Sequence, residues 1–419
     1  MRLPLVLAFV SACLAAAEPA PLPLRLDAEQ AVALALERNG DVLAAGHNAA
    51  AANERARALL AIAYPRLTAY ASGELADGTR NPSRQPGEDR TRYGTSAEAS
   101  QLLWAGGLVG AARRGAAATR DLGEADRQLI RRDLASATRD AVSAVHYLRE
   151  LIAIASARIV QRESERDDAA GRVAAGAAAA SDRRQGDLLV ATAQDERLQA
   201  ESRLASQLLA LAELIAEPSA AVEVLGTLER PAQLAERLIA AEAGIKGGPE
   251  LAALDARRRG EAADADSQRA RRWPTFSAYA GGGYDGAQVD ALDEGWQAGL
   301  RLEWSLYDGG ERQARTRAAG QAMQALSAQA EVARLARQRA AADLRQRATS
   351  LDRRIALQRE VIALAEADYA DVRGQYQLGT VTRTRVNEAN LAVFEARFAH
   401  ATLVYAENLV EHAARRLGD

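Results

Sequence analysis

The chain is 419 residues long, 48% hydrophobic yet only 4% aromatic, with 26% charged residues and a formal net charge of -3. Ala and Leu therefore carry the apolar content, which suits long helices packed on small side chains and disfavours a globular core built on aromatics. The charge balance gives no electrostatic footprint for nucleic acid.

The chain starts MRLPLVLAFVSACLAAA, with Arg2, an apolar run from Leu3 to Ala17, and small residues at Ala15 and Ala17 ahead of Glu18. Residues 1–17 read as a secretory signal cleaved after Ala17. Val10-Ser11-Ala12-Cys13 also reads as a lipobox, which would place a lipid on Cys13. If Cys13 leaves with the signal, the mature chain has no cysteine and no disulfide. No later apolar run reaches the roughly 18 residues of a transmembrane helix.

From residue 18 the chain is written twice. In the first repeat, 18–217, an extended lead-in and a helical segment precede strands at 66–77 and 92–103, a Pro-free long helix at 108–172, a tip at 173–181 and a returning helix at 182–216. A connector follows at 218–233. The second repeat, 234–419, has strands at 275–284 and 295–306, a long helix at 310–373, a tip at 374–382 and a returning helix at 383–416. The alignment rests on Pro65 with Pro274, Ala69-Tyr70-Ala71 with Ala278-Tyr279-Ala280, Gly106-Gly107 with Gly309-Gly310, and Gly176 with Gly379. The offset falls from 209 to 203 within the hairpin loop, where insertions are best tolerated.

Each strand alternates. Trp296, Ala298, Leu300, Leu302, Trp304 and Leu306 take every second place, with Gln297, Gly299, Arg301, Glu303 and Ser305 between them. Segments of about ten alternating residues fit strands with one face in lipid and one toward a lumen. The loops DGTRNPSRQPGEDR and DGAQVDALDEG read as hairpin connections. All four Trp and six of the ten Tyr lie within 64–107 or 273–310. Trp104, Trp273, Trp296, Trp304 and Tyr307 are the candidate membrane-interface aromatics. The same alternation would also serve an edge hairpin of a soluble sheet. In the long helices, Leu134, Ala141, Val145, Leu148, Ile152 and Ile159, and later Leu344, Leu351, Ile355 and Ile362, keep coiled-coil spacing. At 1.5 Å per residue each long helix spans about 100 Å.

Four strands cannot close a barrel, since the smallest transmembrane barrels need about eight, and hydrocarbon tolerates no open sheet edge. The expected fold class is therefore a mixed transmembrane β-barrel plus a long α-helical coiled-coil barrel. It is built from a duplicated helix-strand-strand-helix-helix repeat, with four strands per chain and a trimeric barrel.

Several segments carry a resemblance: LDAEQAVALALERNGDVLAA, the strand starts at Pro65 and Pro274, LEWSLYDGGERQAR, and YQLGTVTRTRVNEANLAVFEARFAHATLVYAENLVEHA. Together with the duplicated order they resemble the TolC family of outer-membrane efflux proteins over essentially the whole mature chain. The resemblance implies a homotrimer in outer-membrane lipid, extending into the periplasm of a Gram-negative cell. It also implies a periplasmic adaptor (membrane fusion) protein and an inner-membrane transporter of the RND or ABC type as partners. The implied function is the passive exit duct of a tripartite drug or metal efflux pump, or of type I secretion.

By the same resemblance, Val173, Gly176 and Ala177 in one tip and Gln377, Leu378 and Gly379 in the other contact the adaptor. Gln377 stands where the family usually has Arg. Tyr376 and Asp182 match the gate Tyr and Asp; the gate Arg is Val381 here, with Arg383 or Arg385 as substitutes. Arg385 and Glu388 stand where the family carries acidic rings. The tip glycines also have the plainer role of ending helices, and Asp182 that of a first-turn acid.

No cofactor, metal or catalytic site is expected. His47, His146, His400 and His412 are dispersed without ligand spacing, and no phosphate loop or Ser/His/Asp set appears. The competing reading is a periplasmic coiled-coil scaffold or adaptor without a pore.

Overall fold

The computed structural model describes residues 24–75, 91–218 and 221–418. The signal and lipobox readings, the start of the lead-in, the last two residues of the expected strand 66–77 and the first hairpin loop at 77–90 lie outside the described residues. In chain order the elements are β1 (Leu24–Leu26), α1 (Ala28–Arg38), α2 (Gly40–Leu60), β2 (Arg66–Leu75), β3 (Thr91–Trp104), α3 (Leu108–Ala174) and α4 (Ala180–Leu214). There follow β4 (Val222–Val224), α5 (Leu234–Ala243), α6 (Pro249–Ala270), β5 (Thr275–Gln288), β6 (Ala291–Glu303), α7 (Glu311–Gln377) and α8 (Arg383–Gly418).

Local chemistry sets several of these starts. Asp27 Oδ1 accepts from the Gln30 N–H at 2.8 Å while Gln30 Oε1 accepts from the Asp27 N–H at 3.0 Å, a reciprocal cap on α1. At α7 the Asp308 carboxylate accepts from the Gly310 and Arg312 backbone N–H groups at 3.1 and 3.0 Å. It thereby satisfies donors that a helix start leaves unpaired.

β2, β3, β5 and β6 form one antiparallel sheet in that order, so β2 and β6 are its edges. The second hairpin differs from the sequence expectation of strands at 275–284 and 295–306. β5 and β6 run on through most of the supposed loop to a turn at Val289–Asp290, with Asp285 opposite Asp293 and Gln288 opposite Ala291. Asp285 is accommodated because Arg92, on neighbouring β3, pairs with it. β6 in turn stops at Glu303, short of the expected Leu306, where the Trp304 Nε1–H donates to the Arg272 carbonyl at 3.1 Å. The connector also contributes structure: β4 lies parallel to β1, Leu24 opposite Val222 and Leu26 opposite Val224.

α3 and α7 are each 67 residues long, about 100 Å at the helical rise. On the sheet side, α2, α3, α6 and α7 lie side by side; toward the far end the ribbon is α4, α3, α8 and α7. Near the sheet the contacts are made by alanines, among them Ala52 and Ala56 on α2, Ala116 and Ala118 on α3, and Ala256 and Ala263 on α6. The backbones come so close that a Cβ on Gly123 would lie 2.7 Å from that of Ala52. Farther along, Leu134, Val142 and Val145 of α3 pack with Leu211, Ile215, Val224 and Leu26. A second cluster joins Leu344, Leu351 and Ile355 of α7 to Leu403, Val404 and Val410 of α8. Each fully buried Leu or Ile contributes about 1.5–3 kcal/mol. Of the expected seam residues, Ile152 and Ile362 are only half-buried; the others are buried.

One carboxylate is almost fully enclosed. Glu407 is 1% exposed, and Arg230 meets it with Nε at 2.7 Å and Nη2 at 2.5 Å while also reaching Asp352 at 2.8 Å. A buried charge is tolerable only with such pairing.

Candidate functional site

Two regions hold the residues expected to meet something else: the sheet and the helix tips. Alternation gives the sheet two unlike faces. Leu67, Ala69 and Ala71 of β2 share one face with Ala97 and Ala99 of β3, with Phe276, Ala278 and Ala280 of β5, and with Trp296, Ala298, Leu300 and Leu302 of β6. That face is uncovered: Leu67 is 76% exposed, Trp296 84% and Leu300 75%. The opposite face carries Tyr70, Ser72, Glu74, Arg92, Glu98, Asp285, Gln297 and Arg301. There Arg92 pairs with Asp285, and Arg301 lies 3.5 Å from Glu98 with its guanidinium 4.7 Å from the centre of the Tyr279 ring.

The aromatics fall at two levels. Trp104 ends β3, Trp273 precedes β5, and Trp304 and Tyr307 follow β6, all at the helical end of the sheet. Trp104 packs edge-on against Phe276 with ring centres 5.8 Å apart. Trp296 lies opposite Gly282, eight residues along β6 from Trp304. At about 3.4 Å per residue this separation is near 27 Å along the strand, or about 20 Å of height at the usual strand tilt, of the order of the apolar band of an outer-membrane barrel.

At the far end the two tips are closed by the same hydrogen bonds. The Ala177 N–H donates to the Arg172 carbonyl at 2.8 Å and the Gly176 N–H to that of Val173 at 3.0 Å. In the second tip the Thr380 N–H donates to Gln375 and the Gly379 N–H to Tyr376, both at 3.0 Å. Gly176 and Gly379 have φ of +70° and +79°, the left-handed conformation that glycine adopts without a Cβ penalty. Gly176, Ala177, Gln377, Leu378 and Gly379 are exposed, and Val173 is half-buried. The loops are shorter than the expected 173–181 and 374–382, because α3 runs to Ala174, α7 to Gln377, and α4 already starts at Ala180.

The structure brings some of the expected gate residues together and separates others. Arg383 Nη1 donates to Asp182, but to its backbone carbonyl, at 2.7 Å. Among the described residues the Asp182 carboxylate meets only Ser181 Oγ, at 3.4 Å. Arg385 is held within its own repeat by Asp368 at 3.0 Å, with Glu388 at 3.8 Å. Tyr376 is engaged by Arg172, whose guanidinium lies 4.4 Å from the ring centre and whose Nη2 donates to the Tyr376 carbonyl at 3.3 Å. Sequence reasoning missed Arg172, since a cation in the last turn of a helix has the ordinary role of complementing the dipole.

It also missed a buried polar knot about two helical turns above. Arg162 donates to Glu165 and to Asn387, each at 2.8 Å, and Glu165 accepts from Asn390 at 2.8 Å and from the Tyr369 hydroxyl at 3.0 Å. Burial pushes the Tyr369 phenol up, so it stays a donor. The available signal was a polar residue on an apolar stripe: Asn390 stands between Val386 and Phe394 at a spacing of four.

Among the described residues, no group of His, Cys, Asp and Glu has the arrangement of a metal site, and no helix is long and apolar enough to cross a membrane.

Comparison with known proteins bears on both regions. No curated protein matches the chain. The structure is similar to the outer membrane protein VceC of Vibrio cholerae, with a TM-score of 0.82 and 19% identity over 93% of this chain and 96% of that one. It is similar to the open state of the MtrE outer membrane channel of Neisseria gonorrhoeae, with a TM-score of 0.75 and 19% identity over 93% and 88%. CusC, described in terms of folding and transmembrane channel formation, aligns with a TM-score of 0.79 and 18% identity over 93% and 91%. The family model for outer membrane efflux proteins matches residues 31–217 and 245–417, one stretch in each repeat. The chain therefore belongs to the outer membrane efflux protein family, the TolC-type ducts through which efflux leaves across the outer membrane.

Proposed function

We propose that three copies of the chain form a continuous passive duct, in which four strands from each copy close a twelve-stranded barrel in outer-membrane lipid. The helices continue it as a tube through the periplasm. The observation that carries this reading is the unfinished sheet: β2 and β6 lack outer partners among the described residues, and one whole face is apolar and uncovered. In hydrocarbon an open edge would leave backbone N–H and C=O groups unsatisfied, at several kcal/mol each. Joining β6 of one copy to β2 of the next removes both edges. The apolar face then meets lipid, the Arg92–Asp285 and Arg301–Glu98 face lines water, and the Trp and Tyr levels sit at the two interfaces.

At the other end, the half-buried Val173 and the exposed Gly176, Ala177, Gln377, Leu378 and Gly379 are placed to meet a periplasmic adaptor, which couples the duct to an inner-membrane RND or ABC transporter of an efflux pump or type I secretion system. The gate in this chain is held by Arg172 on Tyr376 and Arg383 on the Asp182 carbonyl. Arg385 and Glu388 face each other rather than forming separate charged rings. Because the Arg172 and Arg383 links end on a ring and on backbone carbonyls, closure does not depend on a titrating carboxylate.

The test is conductance across planar bilayers by purified protein that runs as a heat-modifiable trimer on gels. Stable channels support the duct. A protein that gives neither channels nor trimers would instead be the pore-free coiled-coil scaffold.

A further inference from the structure

Midway along the molecule, where α1, α3, the start of α6 and the end of α8 meet, lies a pocket of about 380 Å³. Val32 and Leu36 contribute to an apolar wall, and Arg131, Arg132, Arg139 and Arg416 supply its cations. Arg132 and Arg139 are nearly enclosed, with side chains 8% and 11% exposed. The carboxylates around them are each shared between two cations. Glu29 serves Arg139 at 3.2 Å and Arg415 at 2.7 Å. Asp133 serves Arg132 at 3.2 Å and Arg416 at 3.0 Å, and Glu250 serves Arg132 at 3.3 Å and Arg337 at 3.6 Å.

Arg131 has no ion-pair partner among the described residues; Glu124, the carboxylate that feels its charge, is held by Arg127 at 2.8 Å. Cations thus outnumber the carboxylates that reach them, and burial denies Arg132 and Arg139 full hydration. The pairs made by Arg132 and Arg139 are also longer than the roughly 2.7–2.9 Å of a tight charge-assisted bond.

Guanidinium groups match the planar fork of a carboxylate and the oxygens of a phosphate. We propose that this pocket binds a compact multivalent oxyanion, a small molecule with two or more phosphate or carboxylate groups, on Arg131, Arg132, Arg139 and Arg416, with any apolar portion against Val32 and Leu36. Such a ligand would tie the N-terminal α1 to the end of α8 across α3. The site is separate from both the sheet and the tips, so it stands independently of the pore.

The test is isothermal titration calorimetry on the full protein in detergent, with inorganic pyrophosphate and with citrate as probes and sulfate at equal ionic strength as the control. At least one probe is expected to bind once per chain with a Kd below about 1 mM. Arg131→Gln, which removes no ion pair of the fold, is expected to weaken it by about tenfold or more while single-channel conductance stays unchanged. If that variant fails to fold, Arg416→Gln, at a half-exposed side chain, takes its place. Preference for pyrophosphate or for citrate assigns the ligand to phosphates or to carboxylates. Absence of binding by both probes, equal binding by sulfate, or unaltered affinity in the variant overturns the proposal.

Discussion

Helices α3 and α7 have the same length and the same place in the two repeats, yet α3 buries eighteen of its residues and α7 only eight. α3 lies inside the ribbon, flanked by α2 and α6 near the sheet and by α4 and α8 beyond it. α7 lies at the margin and leaves Val332, Leu335, Leu357 and Leu364 more than half exposed; on the opposite margin α4 does the same with Leu188, Leu198 and Leu209. Duplication thus supplies two similar helices, and position decides which one finds its partners inside the chain. The two margins repeat, over the helical length, what the two open strand edges show in the sheet.

Substitutions sharpen this contrast. Val145→Asp, at a fully enclosed position on α3, places an unpaired charge in the core and is expected to cost about 4 kcal/mol or more. The readout is loss of cooperative melting in the far-ultraviolet circular dichroism. The matched change on α7, Leu335→Glu with Leu364→Glu, is expected to leave the protomer's helical content intact and to abolish assembly, measured as a monomer mass by light scattering in detergent. If it unfolds the protomer as Val145→Asp does, the margin is not a margin.

Smaller effects test the ion pairs. Glu407→Gln removes the buried charge opposite Arg230 and is expected to destabilise by about 3 kcal/mol, seen as a lowered midpoint of thermal unfolding. Glu29 is the gentlest probe. Hydrogen bonds from Arg139 first, and then Arg415, hold its carboxyl down to about 2 from an ordinary value of 4.5. Its contribution is therefore complete above the ordinary value and lost as pH falls through the folded one. Stability measured from pH 5 to pH 2 should fall less steeply in Glu29→Gln than in the unaltered protein.

The duplicated order is legible in sequence because its punctuation is local: Pro65 and Pro274 before strands, paired glycines at 106–107 and 309–310 before long helices, and Gly176 and Gly379 after them. What escapes is non-local. Asp285 to Gln288 reads as loop from its Gly and Asp content, and what makes it strand is pairing with β6 and with β3 of the other hairpin, where Arg92 meets Asp285. The pairing of β1 with β4 joins residues some two hundred positions apart, and Leu24-Arg25-Leu26 alone is too short to announce it. At the tips, the turns are visible in the glycines, but the contact of Arg172 with Tyr376 crosses between repeats and has no signature in either. The arginines of the waist pocket are unremarkable in the sequence for the same reason: three come from α3 and one from α8.

The central claim is that one chain is an incomplete wall, finished only by two others. Native mass spectrometry of the detergent-extracted protein tests it most directly. The account requires a species of three chains that persists until the detergent or heat removes it. A single chain that stays folded and soluble without detergent, with its sheet face covered from within, would contradict it.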